Sequence, residues 1–221
     1  MATFEMFRRN PEAVWQFYLW RLGVCRQAMP NQGHKALVTI EKQLEERFTL
    51  ITQNVDNLHL RAGQSPGRTY QIHGNLGYVR CSAGCCRSIT EMPAGVTPKG
   101  KDEAISAAEW RLLRCPGCNA LLRPHVLWFD ESYDEPFFRL HSSLTAARDT
   151  ILLIVVGTSG ATNLPTQIVA QVYRQGGFII DINPNDNPFG RLAQEYERGL
   201  AIRENSSMVL DVIARHLEAH P

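Results

Sequence analysis

Ile151-Leu-Leu-Ile-Val-Val156 runs into Gly157-Thr-Ser-Gly160, and Gly177-Phe-Ile-Ile-Asp-Ile182 runs into Asn183-Pro-Asn185. Each is a short apolar run that stops at polar, turn-forming residues. The stretch between them, from about Pro165 to Gln175, has helical spacing. An unbroken apolar run such as 151–156 is what a strand covered on both faces requires. Strand, helix, strand in this alternation predicts an α/β fold with a doubly wound, Rossmann-like parallel sheet. Helical periodicity over Pro136–Arg148 and Ser206–Ala219 supplies further layers, and Val126-Leu-Trp-Phe129 reads as another short strand.

Upstream the pattern continues. Asn10-Pro11 is a helix start, with Asn as cap and Pro at the first helical position. Val14, Phe17, Tyr18 and Arg21 recur at helical spacing, so this helix runs to about Met29, where Pro30-Asn31 ends it. A second helix is expected over Gly33–Glu46, followed by the strand Phe48–Thr52 and, after a loop with a short helix, strand-like Tyr70–Ile72.

Of six cysteines, five cluster in the middle of the chain and only Cys25 stands alone. Cys81-Ser-Ala-Gly-Cys85 and Cys115-Pro-Gly-Cys118 are two close pairs separated by 29 residues. Two thiolates from each of two tight knuckles supply the four soft ligands of tetrahedral zinc, and with no position left for water the ion is structural. Cys86 directly follows Cys85, so the first knuckle is Cys81/Cys85 or Cys81/Cys86; Gly84 favours Cys85. The segment between the pairs lacks a strong core pattern, which fits a small lobe held by metal. The division expected is therefore 1–76 with 125–221 as the Rossmann-like domain and its helical module, and 77–124 as the zinc module.

Bulk properties narrow the partners. With 44% hydrophobic residues and a formal net charge of +1, the 221-residue chain can bury a large core and offers no basic footprint for nucleic acid. No basic cluster flanks the cysteines, which argues against a nucleic-acid-binding zinc ribbon. Its longest apolar run is too short for a membrane span. No secretory signal opens the sequence, so the expectation is a soluble cytoplasmic chain.

Ligands of open α/β sheets bind beyond the carboxyl ends of the strands. Three such ends carry polar residues here: Gln53-Asn-Val-Asp56-Asn57, Gly157-Thr158-Ser159, and Asn183-Pro184-Asn185. Amide, carboxylate, hydroxyl and bare backbone groups together suit a ribose and an amide-bearing ring.

Taken in order, Thr52-Gln-Asn-Val-Asp56, His73-Gly74, the two cysteine pairs, Arg123-Pro-His-Val-Leu-Trp-Phe129, Gly157-Thr-Ser159 and Ile182-Asn-Pro184 resemble the sirtuin family. The resemblance spans essentially the whole chain. It implies NAD as co-substrate, structural zinc, and acylated protein lysines as substrates, with nicotinamide and O-acyl-ADP-ribose as products. It makes His73 the general base: after the acyl oxygen attacks the ribose C1′ and nicotinamide leaves, His73 takes a proton from a ribose hydroxyl. Gln53, Asn54 and Asp56 would line the nicotinamide and ribose pocket. Gly157, Thr158, Ser159, Asn183, Pro184 and Asn185 would hold the adenosine part. Val126, Trp128 and Phe129 would take the substrate peptide as an added strand.

Tyr18 and Arg21 share one helix face. In the sirtuin subgroup that accepts acidic acyl groups, a Tyr and an Arg at this spacing bind the distal carboxylate. The resemblance therefore favours removal of succinyl and malonyl groups, with acetyl alongside. Protein ADP-ribosylation uses the same NAD pocket, and a catalytically impaired peptide-binding module is the reading from a different class. That last reading follows from the opening of the chain. The strand and Gly-Ala-Gly-x-Ser turn that cradle the NAD diphosphate in sirtuins have no counterpart in it; truncation is the simplest expectation, and a complete chain is expected to bind NAD weakly and be poorly stable. Two single-residue departures accompany this. Asn57 stands where the family usually has Gly, and Asp130 follows Phe129 where Gly is common.

Overall fold

A computed structural model describes residues 2–220. Its elements run α1 (Phe4–Arg9), α2 (Pro11–Gln27), α3 (Gln32–Leu44), β1 (Leu50–Thr52), α4 (Leu58–Ala62) and β2 (Thr69–Gln71). Then come β3 (Gly74–Cys81), β4 (Ile89–Glu91), α5 (Ala107–Leu112), β5 (Leu122–Val126), α6 (Glu135–Phe138) and α7 (Leu140–Asp149). The last third is β6 (Leu152–Val156), α8 (Asn163–Arg174), β7 (Phe178–Ile182), α9 (Pro188–Glu195), β8 (Gly199–Ile202) and α10 (Ser206–Ala219). Two compact units divide these. The first gathers the chain up to Met29, Thr52–Leu58 and Gln71–Arg139; the second holds Pro30–Ile51, His59–Tyr70 and the chain from Leu140 on. The chain crosses from one unit to the other five times, and two of these crossings fall inside β1 and β2.

The second unit contains the expected parallel sheet, in the order β6-β7-β8. Alternation along β7 explains its layers. Ile180 and Ile182 join Ile154, Ile202 and the apolar sides of α3 and α10, where Ala36, Ile40, Leu210 and Ala214 are buried. Ile179 and Asp181 point to the opposite face, and helices α8 and α9 pack on β7. Helices on both faces make the sheet doubly wound. The capping residues are local and legible: Asn31 accepts from His34 N in a capping box on α3, and Asn187 with Pro188 starts α9. One expectation fails here. The run 151–156 is not covered on both faces, for Ile151 is 79% and Leu152 50% exposed; β6 is the edge of this sheet and only Val155 is buried.

The first unit is built on the antiparallel sheet β4-β3-β5. Helix α2 packs on it through Val14, Trp15, Leu19 and Leu22, which meet Leu76, Val79 and Leu122 in one core. Trp15 Nε1 donates to the Leu122 carbonyl at 3.1 Å, deep in that core. Val96, Ile105, Leu113, Cys81 and Cys115 belong to the same cluster. Residues 77–124 thus share a core with α2, so compactness groups the chain differently from the division drawn at 76 and 125. The apolar positions of this segment are scattered and non-periodic, which hid the core from the sequence.

Two elements shift. The strand expected over Val126–Phe129 is instead β5, which ends at Val126. Beyond it Trp128 turns into the core and its N–H donates to the Glu131 carboxylate at 3.0 Å, drawing the backbone out of the ladder. The helix expected over Pro136–Arg148 is two helices. Asp134 caps α6 by accepting from Phe137 N at 2.9 Å, and Arg139 at φ 55° closes it before α7 begins.

Candidate functional site

His73 leaves β2 just before β3, and its ring is fixed at both nitrogens. Nδ1 lies 3.1 Å from the Gln53 carbonyl oxygen and Nε2 lies 2.7 Å from the Tyr133 hydroxyl. A carbonyl only accepts, so Nδ1 carries the hydrogen and donates; Nε2 then holds the lone pair and accepts from Tyr133. Burial lowers the pKa of His73, against a smaller opposing effect from the Gln53 carbonyl. At neutral pH the ring is therefore an uncharged base with its lone pair on Nε2.

The backbone around it leaves no slack. Gly74 has φ +86°, and a Cβ there would stand 2.1 Å from the His125 carbonyl oxygen. Only glycine fits, which gives the His-Gly pair a physical reason. Leu127 N donates to the His73 carbonyl at 2.9 Å, tying the histidine to the end of β5.

The loop after β1 carries the other first-unit candidates. Thr52 Oγ1 accepts from Asn54 N at 3.1 Å, leaving Asn54 exposed. Asp56 accepts from the N–H of Leu58, the first residue of α4, at 2.9 Å. Asn57 takes φ +67°, the conformation for which glycine is the usual residue, and its side-chain oxygen accepts from Asn75 Nδ2 at 2.8 Å. Asn75 is buried and also bonds Gln71 and Gly77 N, so it knits this loop to β2 and β3.

In the second unit the polar strand-end residues lie in two loops, after β6 and after β7. Gly157 follows β6 at φ +59° with open space where a Cβ would stand. Ser159, Pro184 and Asn185 are exposed, but Asn183 is buried. Its Nδ2 donates to the Thr158 carbonyl at 3.0 Å and its Oδ1 accepts from Asn185 N at 3.1 Å. Asn183 is thus the tie between the two strand-end loops.

Four thiols converge in the first unit. The Sγ atoms of Cys81, Cys85, Cys115 and Cys118 all lie within 4.8 Å of one another, with three contacts at 3.5 Å. Zinc–sulfur bonds of about 2.3 Å in a tetrahedron require sulfurs about 3.8 Å apart, so the cluster fits the ion. Cys85 completes the set and Cys86 lies outside it, which favours Cys85 in the first knuckle. With four protein ligands such a zinc supplies structure and no reaction step.

The remaining candidates are placed as follows. Tyr18 is 6% exposed, and its oxygen accepts from Trp128 Nε1 at 2.7 Å; burial raises its pKa and keeps its own hydrogen available to donate. Arg21, one turn further on α2, is exposed. Val126 and Trp128 are buried, whereas Phe129 is 88% exposed. The N–H groups of Leu127, Trp128 and Phe129 are all taken, by His73 O, Glu131 Oε2 and Ala2 O.

Two residues of this loop, Glu131 and Tyr133, escaped sequence reasoning, and Asp130 showed there only as a departure from the usual Gly. Glu131 accepts from Arg123 through both carboxylate oxygens at 2.5 and 2.7 Å, and from Arg80 at 3.2 Å. Asp130 accepts from Phe4 N at 2.7 Å and Glu5 N at 3.0 Å, so the residue replacing the common Gly anchors α1. Tyr133 completes the set at His73. The clustered charge of Arg123, Glu131 and Asp134 was visible along the chain, but nothing local distinguishes it from a solvated surface.

Fold and site together define an α/β protein with a parallel, doubly wound sheet and a tetrathiolate zinc centre. The Sir2 family profile matches residues 1–163, most of the chain. An NAD-dependent protein deacylase of Leptospira interrogans is 36% identical over 199 residues, covering 90% of this chain and 74% of that protein. One of Aquifex aeolicus is 36% identical over 194 residues, covering 87% and 73%. The crystal structure of a Sir2 homologue–NAD complex superposes with a TM-score of 0.79 at 30% identity, covering 99% of this chain and 76% of that one. This chain belongs to the Sir2 family. No helix among the described residues is long and apolar enough to cross a membrane.

Proposed function

We propose that this chain removes acyl groups from protein lysines at the expense of NAD, with His73 as general base. The observation that carries the reading is the histidine itself: neutral, half-buried and held with its lone pair on Nε2. Such a ring accepts a proton from an alcohol and returns it later, which is what hydroxyl activation requires. The names of the relatives, and the NAD held by the similar Sir2 homologue, support the co-substrate.

Within that reading, Gln53, Asn54 and the half-buried Asp56 line the part of the first unit that takes the nicotinamide and ribose. Gly157, Thr158, Ser159, Pro184 and Asn185 offer backbone and side-chain groups to the adenosine part, and Asn183 holds their loops together. Phe129, the exposed member of its segment, touches the acylated peptide; Val126 and Trp128 support it from the core.

Acidic acyl groups are the preferred substrates. A succinyl or malonyl carboxylate accepts the Tyr18 hydroxyl hydrogen and pairs with the Arg21 guanidinium, which suits a carboxylate by its planar fork. The test compares nicotinamide release from succinyl-lysine and acetyl-lysine peptides in the wild type and in Arg21→Met. Succinyl preference is expected to fall at least tenfold in the variant with acetyl turnover retained; an unchanged ratio sinks the carboxylate role.

A further inference from the structure

The lone pair of His73 is not exposed to a substrate in this structure: the Tyr133 hydroxyl occupies it at 2.7 Å, with the two rings 5.8 Å apart and inclined at 32°. The tyrosine is held there by its neighbours on both sides. Two residues before it, Glu131 grips Arg123, a guanidinium only 2% exposed, and accepts the Trp128 N–H. One residue after it, Asp134 caps α6 through Phe137 N. A charge-assisted bidentate pair and a helix cap thus bracket Tyr133, and its position follows from the loop's own bonding.

We propose that Tyr133 relays the proton that His73 takes up. A substrate hydroxyl donates to Tyr133 Oη while the Tyr133 hydrogen passes to His73 Nε2. One O–H bond breaks on the substrate and one forms on tyrosine; the tyrosine's original O–H bond breaks and an N–H bond forms on the imidazole. The substrate oxygen becomes negative, the imidazole becomes positive, and the tyrosine emerges neutral. Nδ1 keeps its hydrogen throughout because the Gln53 carbonyl accepts it. The relay explains how a base with an occupied lone pair works without first breaking its 2.7 Å bond.

The inference rests on His73 being the base of the proposed deacylation, and two measurements separate the failure of one from the failure of the other. In the resting chain with nitrogen-15-labelled histidine, Tyr133→Phe is expected to shift the His73 Nε2 resonance while Nδ1 stays protonated. An Nε2 resonance that does not move overturns the relay, and this measurement requires no turnover. In nicotinamide release from succinyl-lysine peptide, Tyr133→Phe is expected to lower kcat at least tenfold with the peptide KM unchanged, and His73→Ala to abolish release. Loss in His73→Ala with full or increased kcat in Tyr133→Phe overturns the relay and leaves the base standing. Full release in His73→Ala removes the base itself.

Discussion

Gly74 and His125 approach so closely that a Cβ on the glycine would sit 2.1 Å from the histidine's carbonyl oxygen. The contact joins β3 to β5 immediately beside His73, at the Gly74–Val126 pair of the ladder. Gly74→Ala has to move one of two strands in the first unit's core and also carries the strain of φ +86°. A loss of about 3 kcal/mol or more in urea unfolding is expected, the range of a forced backbone clash. A loss under about 1 kcal/mol would show that β3 and β5 separate more easily than this register implies.

His125 makes stability depend on pH. It is 5% exposed, stacked on Phe138 with ring planes 2° apart, and burial, aided by the charges of Arg80 and Arg123, pushes its pKa down to about 4. In the unfolded chain a histidine titrates near 6.5. Above that pH both states are neutral and the group contributes nothing to the difference. As pH falls through it the unfolded chain binds a proton that the folded one refuses, so stability declines until about pH 4. The decline from this residue is roughly 3 kcal/mol at most. His125→Phe keeps an aromatic ring against Phe138 and is expected to flatten the stability curve over this window relative to the wild type. Parallel curves would assign the acid sensitivity to other groups.

The zinc centre holds part of a hydrophobic core. Cys81 and Cys115 are buried beside Val79, Leu113 and Leu122. Cys81→Ser or Cys115→Ser is therefore expected to release the metal and loosen the packing of α2, with Tm falling by ten degrees or more, on the order expected for a lost structural metal. Cys86→Ser keeps metal content and Tm at the wild-type level, since Cys86 lies outside the four-sulfur cluster. Metal analysis and thermal unfolding of the three variants check both statements, and metal loss in Cys86→Ser as well as in the other two would reverse the assignment of the first knuckle.

What could be read from the sequence was what local chemistry determines. Cys81/Cys85 and Cys115/Cys118 were legible because metal ligands must come in close pairs, and Asn10-Pro11 because a cap and a fixed φ act within one turn. The parallel strands β6 and β7 showed as apolar runs, yet the exposure of Ile151 and Leu152 depends on what flanks β6, which no local pattern encodes. Asp130 bonds Phe4 N across 126 positions, and Tyr133 bonds His73 across 60. Their roles arise only when the chain has folded, so Asp130 showed only as a departure from Gly and Tyr133 did not stand out. Trp128 misled for a related reason: aromatic residues suit a strand, but the Glu131 carboxylate three residues on claims its N–H.

His73 is proposed as the base of an NAD-dependent deacylation. Mass spectrometry of a succinyl-lysine peptide incubated with NAD and the chain tests it most directly. Loss of the succinyl group with one nicotinamide released per peptide is expected, and neither product from His73→Ala folded to the wild-type Tm. Deacylation by that variant at the wild-type rate would contradict it.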